Sequence, residues 1–295
     1  MNLYIEPSAL QREEKDLLPE GALYALKTLQ EAGWNLFSQY SLLSGQQQRL
    51  LLNEGIELKH PTAPETDTSI RNEERLQLLH QQRVEAEADS WPALCRMILF
   101  PQRKAVIHRK TKETAIELSL NLDGTGSSEI TTGLHFFDHM LDQIARHGLI
   151  DLKLSCKGDL EVDEHHTIED CGIALGQAIR KAISENKAGI QRYGFVLPMD
   201  EAQATAAIDL SDRPHLRWEV TLEREYVGDF PTEMLKHFFY TVAMNAGATL
   251  YVKADGENEH HIIEAIFKGF AKALRFSVSR NERIRGILPT TKGLI

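Results

Sequence analysis

The chain has 295 residues, 42% of them hydrophobic and 26% charged, which is length enough for two domains with separate cores. With 33 Lys+Arg against 43 Asp+Glu, a net charge of -10 and a pI near 5.7, it lacks the basic field that attracts nucleic acid or anionic membranes. No apolar run reaches the ~18–20 residues that cross a bilayer and the N-terminus is too acidic for a secretion signal, so a cytoplasmic protein is expected. Three cysteines at no metal-ligand spacing, Cys95, Cys156 and Cys171, fit that reducing compartment.

Residues 1–100 and 104–295 read differently. In the first stretch, 20–32 places Leu23, Leu26, Leu29 and Ala32 at helical spacing, and the glutamine-rich 46–52 is also helix-like. The polar, proline-containing 60–75 reads as a loop or linker, 76–88 as a charged helix, and 90–100 as a lead into the second domain. From Lys104 the pattern becomes regular. Ile116, Leu118, Leu120 and Leu122 alternate as a strand before the Asp123-Gly124 turn, and a helix is expected over 135–146, closed by His147-Gly148. A strand through Ile150, Leu152, Leu154 and Cys156 precedes a long amphipathic helix over 165–184. The order then recurs: strands through Ala202–Leu210 and Leu216–Val220, a helix over 232–246, a strand at Leu250 and Val252, and a final helix over 259–278. Two strand-strand-helix-strand-helix halves, about 104–190 and 191–295, form an internal repeat of α+β class.

The twelve histidines acquire meaning from that repeat. His165-His166-x-x-Glu169 and His260-His261-x-x-Glu264 open the longer helix of each half, and His139 and His237 stand at matching places on the shorter helices. His165 and Glu169 are i and i+4 and project from one helix face, whereas His166 is rotated by about 100°, so one helix start can serve two ions. Six imidazoles and two carboxylates, without cysteine, suit borderline-to-hard divalent cations. Adjacent histidines at one helix start are readily solvated; a matched duplication points to metal, with some ligands coming from a neighbouring subunit. The other histidines, including His60, His80, His108, His135, His147 and His215, read as packed or surface residues.

From about Val106 to Ile295 the sequence resembles the imidazoleglycerol-phosphate dehydratase family. The blocks that carry the resemblance are RKTKETAI, GLHFFDHMLDQIARHG, DEHHTIEDCGIALG, YGFVLPMDEA, DRPHL, PTEMLKHFF, ENEHHIIEAIFKGFAKAL and LPTTKG. The resemblance implies α+β architecture with duplicated ferredoxin-like (ββαβα-type) halves, two Mn2+ per active site, and a homo-oligomer of twenty-four subunits with sites at the interfaces. It also implies conversion of imidazole glycerol phosphate to imidazole acetol phosphate, a step of histidine biosynthesis, through a metal-stabilised imidazolate. One ion is expected on His139, His166, His260 and Glu264, the other on His165, Glu169, His237 and His261; exchanging the halves maps one set onto the other. Glu113, which alone reads as a solvated strand-edge carboxylate, becomes the candidate for proton transfer, with Glu264 assisting. The proton is expected from the carbon beside the imidazole, and hydroxide from its neighbour. Arg192, Arg213, Lys268, Thr291 and Lys292 are the implied phosphate contacts and Gln143 a substrate contact; Thr290-Thr291 stand where the family commonly has serines.

Residues 1–100 resemble, more weakly, the haloacid-dehalogenase-type histidinol-phosphatase domain of bifunctional histidine-biosynthesis enzymes. LYIEPSAL sits where that class has its strand-end aspartate signature, and SWPALCRMIL resembles the linker of the fusion. Glu6 stands in the nucleophile's place, Ser8 in that of the second aspartate, and Ser38 echoes a phosphate-binding hydroxyl. A smaller α/β or mostly helical remnant, catalytically inactive, is therefore expected; an unrelated helical extension is the rival. For the second domain the rivals are a dinuclear metallohydrolase and a metal-storage shell. The first usually wants a bridging aspartate, for which only Asp170 adjoins a His-His-x-x-Glu block on its C-terminal side. The second requires neither Glu113 nor the cationic set.

Overall fold

A computed structural model describes residues 1–11, 17–60, 67–184, 187, 189–280, 282–284 and 287, and divides into two units, Met1–Pro101 and Gln102–Ile295. Among the described residues no helix is long and apolar enough to cross a membrane.

The first unit is α/β. In chain order it comprises β1 (Asn2–Ile5), α1 (Pro7–Leu10), α2 (Ala22–Glu31), β2 (Asn35–Phe37), α3 (Gly45–Asn53), β3 (Leu58–Lys59), β4 (Thr68–Asn72), β5 (Leu76–His80), β6 (Arg83–Ala88) and α4 (Trp91–Leu99). The sheet runs β3-β2-β1-β4-β5-β6; its first four strands are parallel and the last two return as antiparallel neighbours. Three expectations are corrected here. The segment 76–88 is a hairpin, not a charged helix. Leu76 and Leu78 alternate into the core, and the tight turn is made by Gln81 and Gln82, both at positive φ, without the glycine or asparagine that usually marks such turns. The supposed loop at 60–75 contains β4, whose Ile70 is fully buried and whose carbonyl accepts the Glu6 N–H; 61–66 lie outside the described residues. The segment 90–100 is no linker but α4, capped by Ser90. Its Trp91, Leu94, Cys95 and Ile98 form a buried stripe at i, i+3, i+4 and i+7, and Trp91 Nε1 donates to the Ala9 carbonyl.

The second unit comprises β7 (Lys104–Lys110), β8 (Thr114–Asn121), β9 (Ser128–Thr131), α5 (His135–Gly148), β10 (Asp151–Gly158) and α6 (His165–Ile183). The second half follows as β11 (Tyr193–Met199), β12 (Ala202–Asp209), β13 (His215–Glu219), a small hairpin of β14 (Tyr226–Val227) and β15 (Phe230–Pro231), α7 (Glu233–Ala246), β16 (Thr249–Asp255) and α8 (Glu259–Ser277). Each half is a four-stranded sheet, β7-β8-β10-β9 and β11-β12-β16-β13, with two helices on one face, the duplicated ferredoxin-like arrangement. The sequence pattern is one strand short in each four-stranded sheet, because β9 and β11 are largely exposed and lack clear alternation, and it also omits the β14–β15 hairpin. The expected closure of α5 at His147-Gly148 also shifts: Leu149, at φ 49°, is the left-handed residue.

The inward faces of both sheets and the four helices share one core, which includes Ile116, Leu118, Leu120, Phe137, Phe238, Phe239, Phe267 and Phe270. The helices pair across the repeat, α5 on α8 and α6 on α7. The α6–α7 approach depends on glycine: a Cβ on Gly176 would stand 2.7 Å from the Val242 carbonyl oxygen. Asp170, buried near the start of α6, accepts from Arg109 at 2.7 Å and from the Thr114 hydroxyl, tying α6 to β7 and β8. Asp170→Ala leaves Arg109 without its counter-ion. The expected cost lies near the lower end of the about 3–5 kcal/mol for breaking a buried pair, since Arg109 keeps some solvent contact. A urea midpoint equal to that of the parent would refute this.

Candidate active site

The cross-repeat helix pairing gathers the motif residues into two clusters. His139 from α5 meets His260 and Glu264 from α8; His237 from α7 meets His165 and Glu169 from α6. Within each trio the ligand atoms lie within 4.8 Å of one another. In the first, Glu264 Oε2 is 3.1 Å from His260 Nε2 and 3.8 Å from His139 Nε2; in the second, Glu169 lies 3.0 Å from His237 Nε2 and 3.7 Å from His165 Nε2. His237 Nε2 is shielded from solvent and, among the described residues, makes no hydrogen bond despite that short approach. Two imidazoles and a carboxylate converging on one point, in the second trio with a shielded nitrogen that makes no hydrogen bond among the described residues, fit a divalent cation. Lys268 Nζ donates to Glu264 Oε1 at 2.8 Å. Burial pushes the Glu264 carboxyl up, but Lys268, His139 and His260 outweigh it and leave it below the ordinary carboxylate value.

The remaining two histidines of the motif lie outside the trios. His166 Nδ1 faces both Asp159 oxygens, at 3.1 and 3.2 Å, while its Nε2 stands 3.8 Å from Glu113 Oε1. His261 Nδ1 faces Glu201 Oε2 at 2.8 Å, while its Nε2 stands 3.8 Å from Asp200 Oδ2. The Asp159 hydrogen bond, with Glu113 nearby, raises the His166 pKa; the Glu201 bond raises that of His261, and the same bond, with the Asn258 N–H, holds Glu201 down to about 2. Sequence reasoning missed Asp159, Asp200 and Glu201. A signal existed in their acidic, turn-forming contexts, GDL and MDEA.

The other expected positions are scattered. Glu113 is half-exposed in the β7–β8 turn, its N–H donated to Thr111 Oγ1. Gln143 donates to the His139 carbonyl and lies 3.4 Å from His139 Nδ1. Arg192 and Arg213 meet on Asp209, at the end of β12 away from Glu201, and among the described residues are not joined to either trio. Thr291 and Lys292 lie outside the described residues. In the first unit Glu6 follows β1, Ser8 Oγ accepts the Asn72 N–H, and Ser38 Oγ is buried without a hydrogen-bond partner among the described residues. Among the described residues, no metal-holding group falls in this unit.

Duplicated α+β halves whose helices pair to form two matching His-His-Glu clusters define a class, a repeated α+β fold with two residue groups able to hold metal ions. The imidazoleglycerol-phosphate dehydratase family description matches residues 132–274. The chain is 52% identical over 195 residues to the imidazoleglycerol-phosphate dehydratase of Desulfitobacterium hafniense, covering 65% of this chain and 98% of that one. It is 49% identical over 215 residues to the histidine biosynthesis bifunctional protein HisB of Spirosoma linguale, covering 73% of this chain but only 56% of the relative. The crystal structure of imidazoleglycerol-phosphate dehydratase from Staphylococcus aureus superposes with a TM-score of 0.55 at 34% identity, covering 60% of this chain and 99% of that one. The chain belongs to the imidazoleglycerol-phosphate dehydratase family and is a carbon–oxygen lyase.

Proposed function

We propose that residues 104–295 dehydrate imidazole glycerol phosphate to imidazole acetol phosphate in histidine biosynthesis. The observation that carries this reading is the pair of His-His-Glu trios, each one histidine short of the four-ligand set implied by the repeat. His166 would complete the trio of His139, His260 and Glu264, and His261 that of His165, Glu169 and His237, on another copy of the chain in a homo-oligomer. When bound, two divalent cations, Mn2+ by family resemblance, supply Lewis acidity to the substrate's imidazole nitrogens.

The product fixes which bonds break, and corrects the sequence-based expectation. Its ketone stands on the middle carbon. Hydroxide therefore leaves from the carbon attached to the ring, the proton comes off the middle carbon, and the resulting enol becomes the ketone. Glu113 is the carboxylate for that proton: it is half-exposed, anchored by Thr111 and next to His166. Glu264 is committed to Lys268 and its trio and assists by position. Gln143 holds His139 and contacts substrate, while Arg192, Arg213, Lys268, Thr291 and Lys292 bind phosphate; the exposed Arg192 and Arg213 offer forked donors to a site shared between subunits. Product formation in the presence of Mn2+ tests the reading, and a folded, loaded chain that forms none would refute it.

The first unit is proposed to be a phosphatase-like remnant without phosphatase activity. Glu6, one methylene longer than aspartate, mis-spaces an attacking oxygen, and the Ser8 hydroxyl serves the backbone of Asn72. The full chain is expected to release no phosphate from histidinol phosphate with Mg2+; release abolished by Glu6→Ala would overturn this.

A further inference from the structure

His166 and His261 have to be aimed before any partner subunit arrives, because the trios they would complete cannot orient them within the chain. Both rings are gripped from behind by a carboxylate at Nδ1, Asp159 for His166 and Glu201 for His261. The trio histidines meet their carboxylates through Nε2 instead. A carboxylate accepts and does not donate, so each contact fixes the neutral ring with its proton on Nδ1 and leaves the Nε2 lone pair for a cation. The two halves reach this by different routes. Asp159 follows β10, seven residues before its histidine, whereas Glu201 sits in the β11–β12 turn, sixty residues before. Two independent solutions to one geometric requirement, at equivalent positions of a repeat, argue against incidental contacts.

We infer that Asp159 and Glu201 are positioning residues that set the tautomer and direction of His166 and His261 for a divalent cation shared with another copy of the chain. The inference rests on the two-cation reading above. Glu201 does a second job, since its Oε1 accepts the Asn258 N–H at 2.7 Å ahead of α8. Glutamine there offers one oxygen to two N–H donors. Either Asn258 loses its acceptor, or an amide N–H faces Nδ1 and favours the tautomer that cannot ligate through Nε2. Asparagine at 159 has only the imidazole to serve and can keep its oxygen on Nδ1–H.

The test is an Mn2+ titration of the full chain followed by the electron paramagnetic resonance signal of free Mn2+, with urea unfolding of each variant alongside. The parent should take two Mn2+ per chain, one per trio. Asp159→Ala and Glu201→Gln should each weaken one of the two by about 10–100-fold, the usual effect of removing a ligand's supporting partner. Asp159→Asn should bind within a few-fold of the parent, and the Asp159→Ala unfolding midpoint should not move. Parent affinity in both Asp159→Ala and Glu201→Gln would overturn the inference and leave the two-cation reading standing. So would a loss in Asp159→Ala that tracks a lower midpoint and is not restored by asparagine. A parent chain that takes no Mn2+ would overturn both.

Discussion

Glu113→Gln leaves the chain folded, assembled and loaded with metal while lowering kcat by about 10²–10⁴, the usual contribution of a positioned general base. The substitution keeps length and hydrogen-bonding capacity but removes the basic oxygen. Little else should change: Glu113 is half-exposed, belongs to no trio, and is tied to the turn through its backbone N–H to Thr111. Its carboxylate lies 3.8 Å from His166 Nε2, so in an assembly where His166 reaches a neighbour's trio, Glu113 arrives with it. The diagnostic pattern is lost turnover with unchanged Mn2+ content and particle mass. Turnover equal to the parent's in a loaded Glu113→Gln chain would remove Glu113 from the mechanism and pass the proton step to another carboxylate, Asp200 being the one that faces His261 as Glu113 faces His166.

His166→Ala should act on metal and assembly together. It deletes the ligand that would complete the trio of His139, His260 and Glu264, so the loss of affinity at that ion should exceed the roughly 10–100-fold typical of a supporting partner. Because the ring would bridge two chains through the cation, the assembled fraction seen by light scattering should fall with the metal content. The fold of the isolated chain should hold: the ring is partly exposed and absent from the core, and α6 is anchored by Asp170 and the Gly172–Gly176 contact with α7. Full occupancy by metal analysis in this variant would contradict the ligand assignment.

How much of this was legible in the sequence follows from the range of each interaction. The His-x-x-x-Glu pairs are i,i+4 on one helix, so they show in a string of letters, and their duplication pairs them with His139 and His237. That each trio draws its third member from the opposite half is tertiary, set by α5 packing on α8 and α6 on α7. Asp159 and Glu201 stand in acidic, turn-forming stretches, but their pairing with His166 and His261 is not local in the same way; one works across a loop and the other across sixty residues. In the first unit, Leu76 and Leu78 carried a strand signal that the surrounding charges hid, and a Gln81-Gln82 turn gave no punctuation to mark the hairpin. The Trp91 stripe was helical on its face, and its resemblance to the linker of the fusion, together with its place before the second domain, suggested otherwise.

The most direct measurement is the anomalous scattering of crystals of the Mn2+-loaded chain, recorded at the manganese edge. Two peaks per chain are predicted. One should be bounded by His139, His260 and Glu264 with His166 from another copy, and the second by His165, Glu169 and His237 with His261 from another copy. Peaks away from these eight side chains, or trios that bind no manganese in an active preparation, would contradict the account.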